Sequence, residues 1–199
     1  MIATALHRAL SDPTTPALRP LPPRAVELLV AADAPPRLAA HLRAVHDVAA
    51  QLLDWLRRRY PRLVVDHEAV LFGAATHDIG KCLHPEELSG PGSRHEPAGR
   101  QLLLTQGVPA ELARFAATHA RWDHPDVTIE ELLVSLADKV WKGRREPDLE
   151  TLVVGRLAGA GDEQPWAAFM GLDDVLGRIA GDADARLDFQ ARYPTHPGR

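Results

Sequence analysis

Apolar residues along most of this chain recur at three- and four-residue intervals, the period of an amphipathic helix. A first short helix follows Pro23, with Val26, Leu28, Leu29 and Val30, and stops before Pro35 and Pro36. A long one spans about 37–60, its stripe formed by Leu38, Leu42, Val45, Ala49, Leu52, Leu53 and Leu56. His46 falls on that stripe, whereas His41 falls off it and gains no role; Arg57, Arg58 and Arg59 suit the negative end of the helix dipole. Asp66 is a good N-cap for the next helix, which runs through Ala69, Val70, Leu71, Phe72, Gly73, Ala74 and Ala75 to His77 and Asp78, with Gly80 as its stop.

A Pro- and Gly-containing loop occupies 82–92, and Ser93 with Glu96 then reads as a capping box. The helix it opens carries His95, Leu102, Leu103 and Leu104 and ends at Gly107. Pro109 starts another, whose apolar face is Leu112, Phe115, Ala116 and His119. Thr128 and Glu131 form a second capping box before Ile129, Leu132, Leu133, Leu136 and Val140, a run that contains Asp138. A short helix near 149–157 and a last one over about 166–193 complete the chain, the last unbroken only if Gly171, Gly177 and Gly181 do not divide it. No strand-like alternation and no repeat stands out, so the predicted fold class is all-α.

Composition changes this picture little. The 199 residues suit a Pro-rich N-terminal extension over 1–23 and one helical domain over 24–199, with a core at about 37–145 and C-terminal helices at 147–193. Those last helices read as packing elements or a homodimer surface. A net charge of −4 gives no global basic field to recruit nucleic acid or an anionic membrane. The single Cys82 excludes an intramolecular disulfide. No apolar run reaches the roughly 20 residues of a membrane span, and Met1 to Leu10 lack the pattern of a secretory signal, so the expected location is cytoplasmic.

The chemistry is concentrated in a few polar residues on apolar faces. A carboxylate buried beside the small-residue run ending at Ala75 costs several kcal/mol unless it is compensated. A metal ion satisfies His77 and Asp78 at once, although the dipeptide alone also fits the end of a surface helix. His46, His95, His119 and Asp138 each lie on the apolar face or terminus of a different predicted helix, and together they point to a shared interior site.

With these residues in place, the chain resembles the HD-domain superfamily of metal-dependent phosphohydrolases. The likeness rests on His46, on His77-Asp78 within His-Asp-Ile-Gly-Lys, and on Asp138 within Leu-Ala-Asp-Lys-Val, and it covers about 38–145. It implies a compact helical bundle with a first metal held by His46, His77, Asp78 and Asp138. Histidines beyond that set imply a second ion on Asp78, His95 and His119, with Asp78 shared. Dinuclear members often carry a His pair where this chain has His119 followed by Ala120, which leaves an open position or a role for His124. The Gly-Tyr-Pro signature of the cyclic-dinucleotide branch is missing.

Imidazole and carboxylate ligands suit Mn, Fe, Co, Ni or Zn. The implied reaction is hydrolysis of a small phosphate ester or nucleotide by metal-activated water, with Asp78 and Lys81 as the catalytic residues. Lys81, Arg94 and Lys142 are the expected substrate contacts; Lys139, Arg144 and Arg145 are weaker ones. Trp122 and Trp141 are candidates to stack on a base, with core packing as the competing role. Some dinuclear HD proteins are instead diiron oxygenases that cleave C–C or C–P bonds, and this ligand set is compatible with that second reading.

Overall fold

The computed structural model describes residues 4–196, and among them the secondary structure is helical without strands. The helices are α1 (Ala5–Ser11), α2 (Pro23–Ala31), α3 (Pro36–Arg59), α4 (His67–Thr76), α5 (His95–Thr105) and α6 (Ala110–Ala113). They continue with α7 (Phe115–Thr118), α8 (Ile129–Val140), α9 (Pro147–Gly161), α10 (Pro165–Ala180) and α11 (Ala183–Ala191). None is long and apolar enough to cross a membrane.

α3 is the axle of the bundle, with α1, α4, α8, α10 and α11 against it. From Leu38 to Ala50 every residue of α3 is buried, including His41, Arg43, His46 and Asp47. Alanines at positions 39, 40, 44, 49 and 50 let the neighbouring helices approach closely. α4 does the same through Gly73, where a Cβ would sit 2.7 Å from Cγ of Phe115 in α7.

Two buried arginines hold the ends of the chain to this core. Arg43 donates to the carbonyls of Asp12 (2.8 Å) and Leu18 (3.1 Å), which keeps the segment before α2 against α3. The stretch expected as an extension therefore includes a helix, and Ala9, Leu10, Leu18 and Leu21 from it are buried. Arg186 of α11 donates to the carbonyl of Trp141 at 2.7 Å and to that of Ile179. Those carbonyls are at the C-terminal ends of α8 and α10, where the helix dipoles favour a cation.

Several predicted boundaries hold. Asp66 caps α4 by accepting from the Ala69 amide at 3.0 Å, and Thr128 with Glu131 forms the reciprocal capping box of α8. Other expectations need correction. Ser93 does not cap α5; Arg94 is the N-cap residue, and no side chain closes that end. The helix begun at Pro109 is broken at Arg114 into α6 and α7. The last helix is divided at Gly181 and Asp182 into α10 and α11.

Candidate metal centre

α4 ends at Thr76, and the chain then tightens through His77 and Asp78 into a 3₁₀ turn, Ile79–Cys82. His77 is 0% exposed and Asp78 is 3% exposed. Around them α3 supplies His41, α5 supplies His95, the end of α7 supplies His119 and α8 supplies Asp138, all buried.

These side chains form two groups that meet at Asp78. In the first, the Nε2 atoms of His41 and His77 face each other at 3.4 Å. Asp138 Oδ1 is 3.5 Å from the former and 3.4 Å from the latter. Asp78 Oδ2 completes this group at 3.2 Å from His41 Nε2 and 3.7 Å from His77 Nε2. In the second group, Asp78 Oδ1 is 3.1 Å from His95 Nε2 and 3.4 Å from His119 Nε2. Ligand atoms about 2.0–2.2 Å from a common ion lie roughly 3–3.5 Å from one another, so both spacings suit metal coordination.

The state of the donors agrees. Asp78 Oδ1 and His95 Nε2 are buried without a properly directed hydrogen bond. His77 places Nδ1 3.0 Å from the Ala74 carbonyl, and His119 places Nδ1 3.3 Å from the Phe115 carbonyl. With Nδ1–H donated in this way, the lone pair of Nε2 is directed into the group. Each group could hold a divalent metal ion.

Burial alone would raise the Asp78 pKa, but the imidazole of His77, with those of His119, His41 and His95 close around the carboxylate, holds it well below the usual carboxylate range. Asp138 is lowered for the same reason: its desolvation is outweighed by His77, Lys139 and His41. Both carboxylates are thus kept ionised, the form a metal requires.

His46 is not part of either group. It is buried at 4% exposure, its Nδ1 has no hydrogen-bond partner, and burial together with the charge of Arg19 lowers its pKa to about 4. The structure puts His41 beside His77 and Asp138 instead. At about 100° per residue, positions five apart on a helix lie on faces about 140° apart, so only one of the two can reach the centre.

His124 stands exposed on the loop after α7, its Nδ1 accepting the Asp126 amide at 3.2 Å, and belongs to neither group. Arg94 is turned to Glu86 and Glu87 and does not line the cleft above the centre. Glu87 escapes sequence reasoning altogether. It is a buried carboxylate 2.6 Å from His95 Nδ1, within a loop that shows no periodicity to single it out. Desolvation would raise its pKa, but hydrogen bonds from the His95 side chain and backbone and from the Arg94 amide lower it to about 2.

Both groups open onto a cleft of about 570 Å³ whose wall includes His41, Asp78, His95, His119 and Asp138. Lys81, Lys139, Lys142 and Arg144 add cations to the wall, and Leu187 and Gln190 of α11 also line it. Lys81 Nζ is 2.6 Å from Asp78 Oδ2, and Lys139 Nζ is 2.8 Å from Asp138 Oδ2. Trp141 is 3% exposed and sets its ring edge-on to His41, with centroids 4.8 Å apart.

Comparison with known proteins agrees with this geometry. A family model described as HD domain matches residues 38–141, more than half of the chain, and that span contains every residue of the two groups. Neither the curated proteins nor the solved structures gave a match. A bundle built on a His-Asp dipeptide, with His41 before it and Asp138 after it, thus accords with the family match: the chain belongs to the HD-domain family.

Proposed function

We propose that this protein is a metal-dependent phosphohydrolase that takes two divalent ions and acts on a small phosphate ester or nucleotide. One observation carries the reading: two ligand groups share the Asp78 carboxylate at a cleft lined by four cationic side chains. His41, His77, Asp78 and Asp138 would hold one ion, and Asp78, His95 and His119 the other. Divalent ions there would supply an acidified water and positive charge facing the phosphoryl oxygens.

The chain's own residues do the rest. Lys81, Lys139, Lys142 and Arg144 are offset by Asp78, Glu87, Glu96 and Asp138 in the same wall, so bound divalent ions leave the cleft positive and suited to an anion. Lys81 is the nearest of the four to the shared carboxylate. Its ammonium has three donors, so it can hold Asp78 and still reach a phosphoryl oxygen. Lys142 is exposed above Trp141 and guides the substrate into the cleft.

A panel of phosphate mono- and diesters, incubated with Mn²⁺ or Fe²⁺ in air and without oxygen, tests the reading. Phosphate or alcohol release that is independent of oxygen is the expected result. Oxygen consumption with substrate, and no release from any ester, assigns the centre to the oxygenase chemistry instead.

A further inference from the structure

The four histidines of the centre are not oriented alike. His77 and His119 reach carbonyls three and four residues back, Ala74 and Phe115, which the preceding helical turn supplies. His95 has no such turn behind it, because it is the first residue of α5. Its acceptor comes from a separate piece of chain, the 3₁₀ turn Pro85–Leu88. There Glu87 Oε2 lies 2.6 Å from His95 Nδ1 and also accepts the His95 amide at 3.1 Å. Glu87 Oε1 accepts the Arg94 amide at 3.2 Å.

The carboxylate is also fitted sterically. A Cβ on Gly92 would lie 2.4 Å from both Glu87 Cδ and Glu87 Oε1, so the backbone at Gly92 closes directly over it. Two amides, one imidazole and a glycine thus fix a single carboxylate in a buried slot next to the centre.

We propose that Glu87 is the positioning residue of the Asp78–His95–His119 group. It holds His95 as the Nδ1–H tautomer and aims Nε2 at Asp78, so that occupancy of this group depends on the loop between α4 and α5. The group built on His41, His77 and Asp138 has its own orienting contact at Ala74 and does not depend on it. The proposal rests on the two-ion reading above only for its metal consequence; the tautomer consequence stands without it.

The full chain is tested as wild type, Glu87→Gln, Glu87→Ala and Gly92→Ala. The near-isosteric Gln variant keeps the volume of the slot but turns one acceptor into a donor, which leaves either His95 or the Arg94 amide without a partner. In metal-free protein at alkaline pH, ¹⁵N imidazole shifts should show His95 as Nδ1–H in wild type. Glu87→Ala and Gly92→Ala should lose that preference, and Glu87→Gln should give up either it or the partner of the Arg94 amide, the His95 signals being assigned with His95→Gln. Equilibrium dialysis against Mn²⁺ should show the affinity for one ion falling about 10- to 100-fold, the usual range for losing such a partner. The affinity for the other ion should stay within about twofold.

Glu87→Ala with an unchanged His95 tautomer and two ions bound as in wild type overturns the proposal. Wild-type protein that takes up a single ion refutes the two-ion reading, and the tautomer measurement then decides the role of Glu87 by itself.

Discussion

Gly80 and Gly99 meet backbone to backbone, and this contact seats the first turn of α5 beside Asp78. A Cβ on Gly80 would lie 1.9 Å from the His95 carbonyl oxygen and 2.6 Å from the Gly99 nitrogen. A Cβ on Gly99 would lie 2.9 Å from the Gly80 nitrogen and 3.2 Å from Ala116 Cβ. Neither neighbour is a side-chain end that can swing aside, so a methyl at Gly80 must push His95 away from the shared carboxylate.

Gly80→Ala should therefore lower Tm and reduce bound metal together, with Gly99→Ala milder in both. Overpacking of this kind costs about 1–3 kcal/mol. Gly155 of α9 is the control: it is exposed with nothing near its Cβ position, and alanine there should stabilise by about 0.5–1 kcal/mol. Thermal melts and metal analysis of the three variants check this. Undiminished metal in Gly80→Ala would show that the contact does not set the site.

His41 and His46 provide the sharpest mutational contrast. His41→Ala should remove one metal ion and abolish turnover, because His41 Nε2 stands among His77, Asp78 and Asp138. His46→Ala should keep its metal and lose only stability. Metal content of the two purified variants decides the assignment, and the opposite pattern would restore His46 to the centre.

That pair also shows where the sequence is legible and where it is not. Helix type and order follow from the 3.6-residue period, and His77, Asp78, His95, His119 and Asp138 were legible as polar residues on apolar faces. α3 defeats the method because from Leu38 to Ala50 it is buried on every side, so the stripe read from its apolar residues cannot say which histidine faces the centre. Glu87 is hidden for a different reason. A loop acceptor is selected by the tertiary approach of the Gly92 backbone and the α5 N-terminus, and the neighbouring Glu86, chemically identical, turns outward to Arg94. The break between α10 and α11 follows from the Gly181-Asp182 turn, where periodicity alone would continue the helix.

His46 also carries a pH signature. Its folded pKa of about 4 is below the ordinary value of 6.5, so between those values the unfolded chain binds a proton that the folded chain refuses. Stability due to neutral His46 is complete above about pH 6.5 and is lost as pH falls toward 4, by roughly 3 kcal/mol in all. Urea unfolding of wild type and His46→Leu at several pH values should show wild type losing stability relative to the variant as the solution is acidified. The titrations of the other histidines are common to both proteins and cancel in the difference. Parallel curves between pH 7 and 4.5 would show that His46 is protonated without cost.

Lys81 should separate metal binding from turnover. It pairs with Asp78 at 2.6 Å and lines the cleft, but a protonated ammonium has no lone pair to offer a metal. Loss of one charge-assisted hydrogen bond to substrate costs about 1.5–3 kcal/mol, or roughly ten- to a hundredfold in kcat/KM. Lys81→Ala should thus keep its metal and lose that much activity, while Arg94→Ala, outside the cleft, should stay near wild type. Equal rates for Lys81→Ala and wild type would reduce Lys81 to a structural partner of Asp78.

Metal removal should be visible in stability as well as in turnover. The two ligand groups place four imidazoles and two carboxylates within a few ångströms of each other in the interior, and only the folded chain assembles them. An ion that binds the folded state alone adds RT ln(1 + [L]/Kd), about 2.7 kcal/mol at a hundredfold excess over Kd. For a domain of this size each kcal/mol moves Tm by about 2–4 °C. Mn²⁺ should then raise the Tm of chelator-treated protein by about 5–10 °C per occupied group, and His41→Ala and His95→Ala should each lose part of the rise. If Mn²⁺, Fe²⁺ and Zn²⁺ all leave Tm unchanged, the two groups are buried polar networks satisfied by Lys81 and Lys139, and the hydrolase reading fails with them.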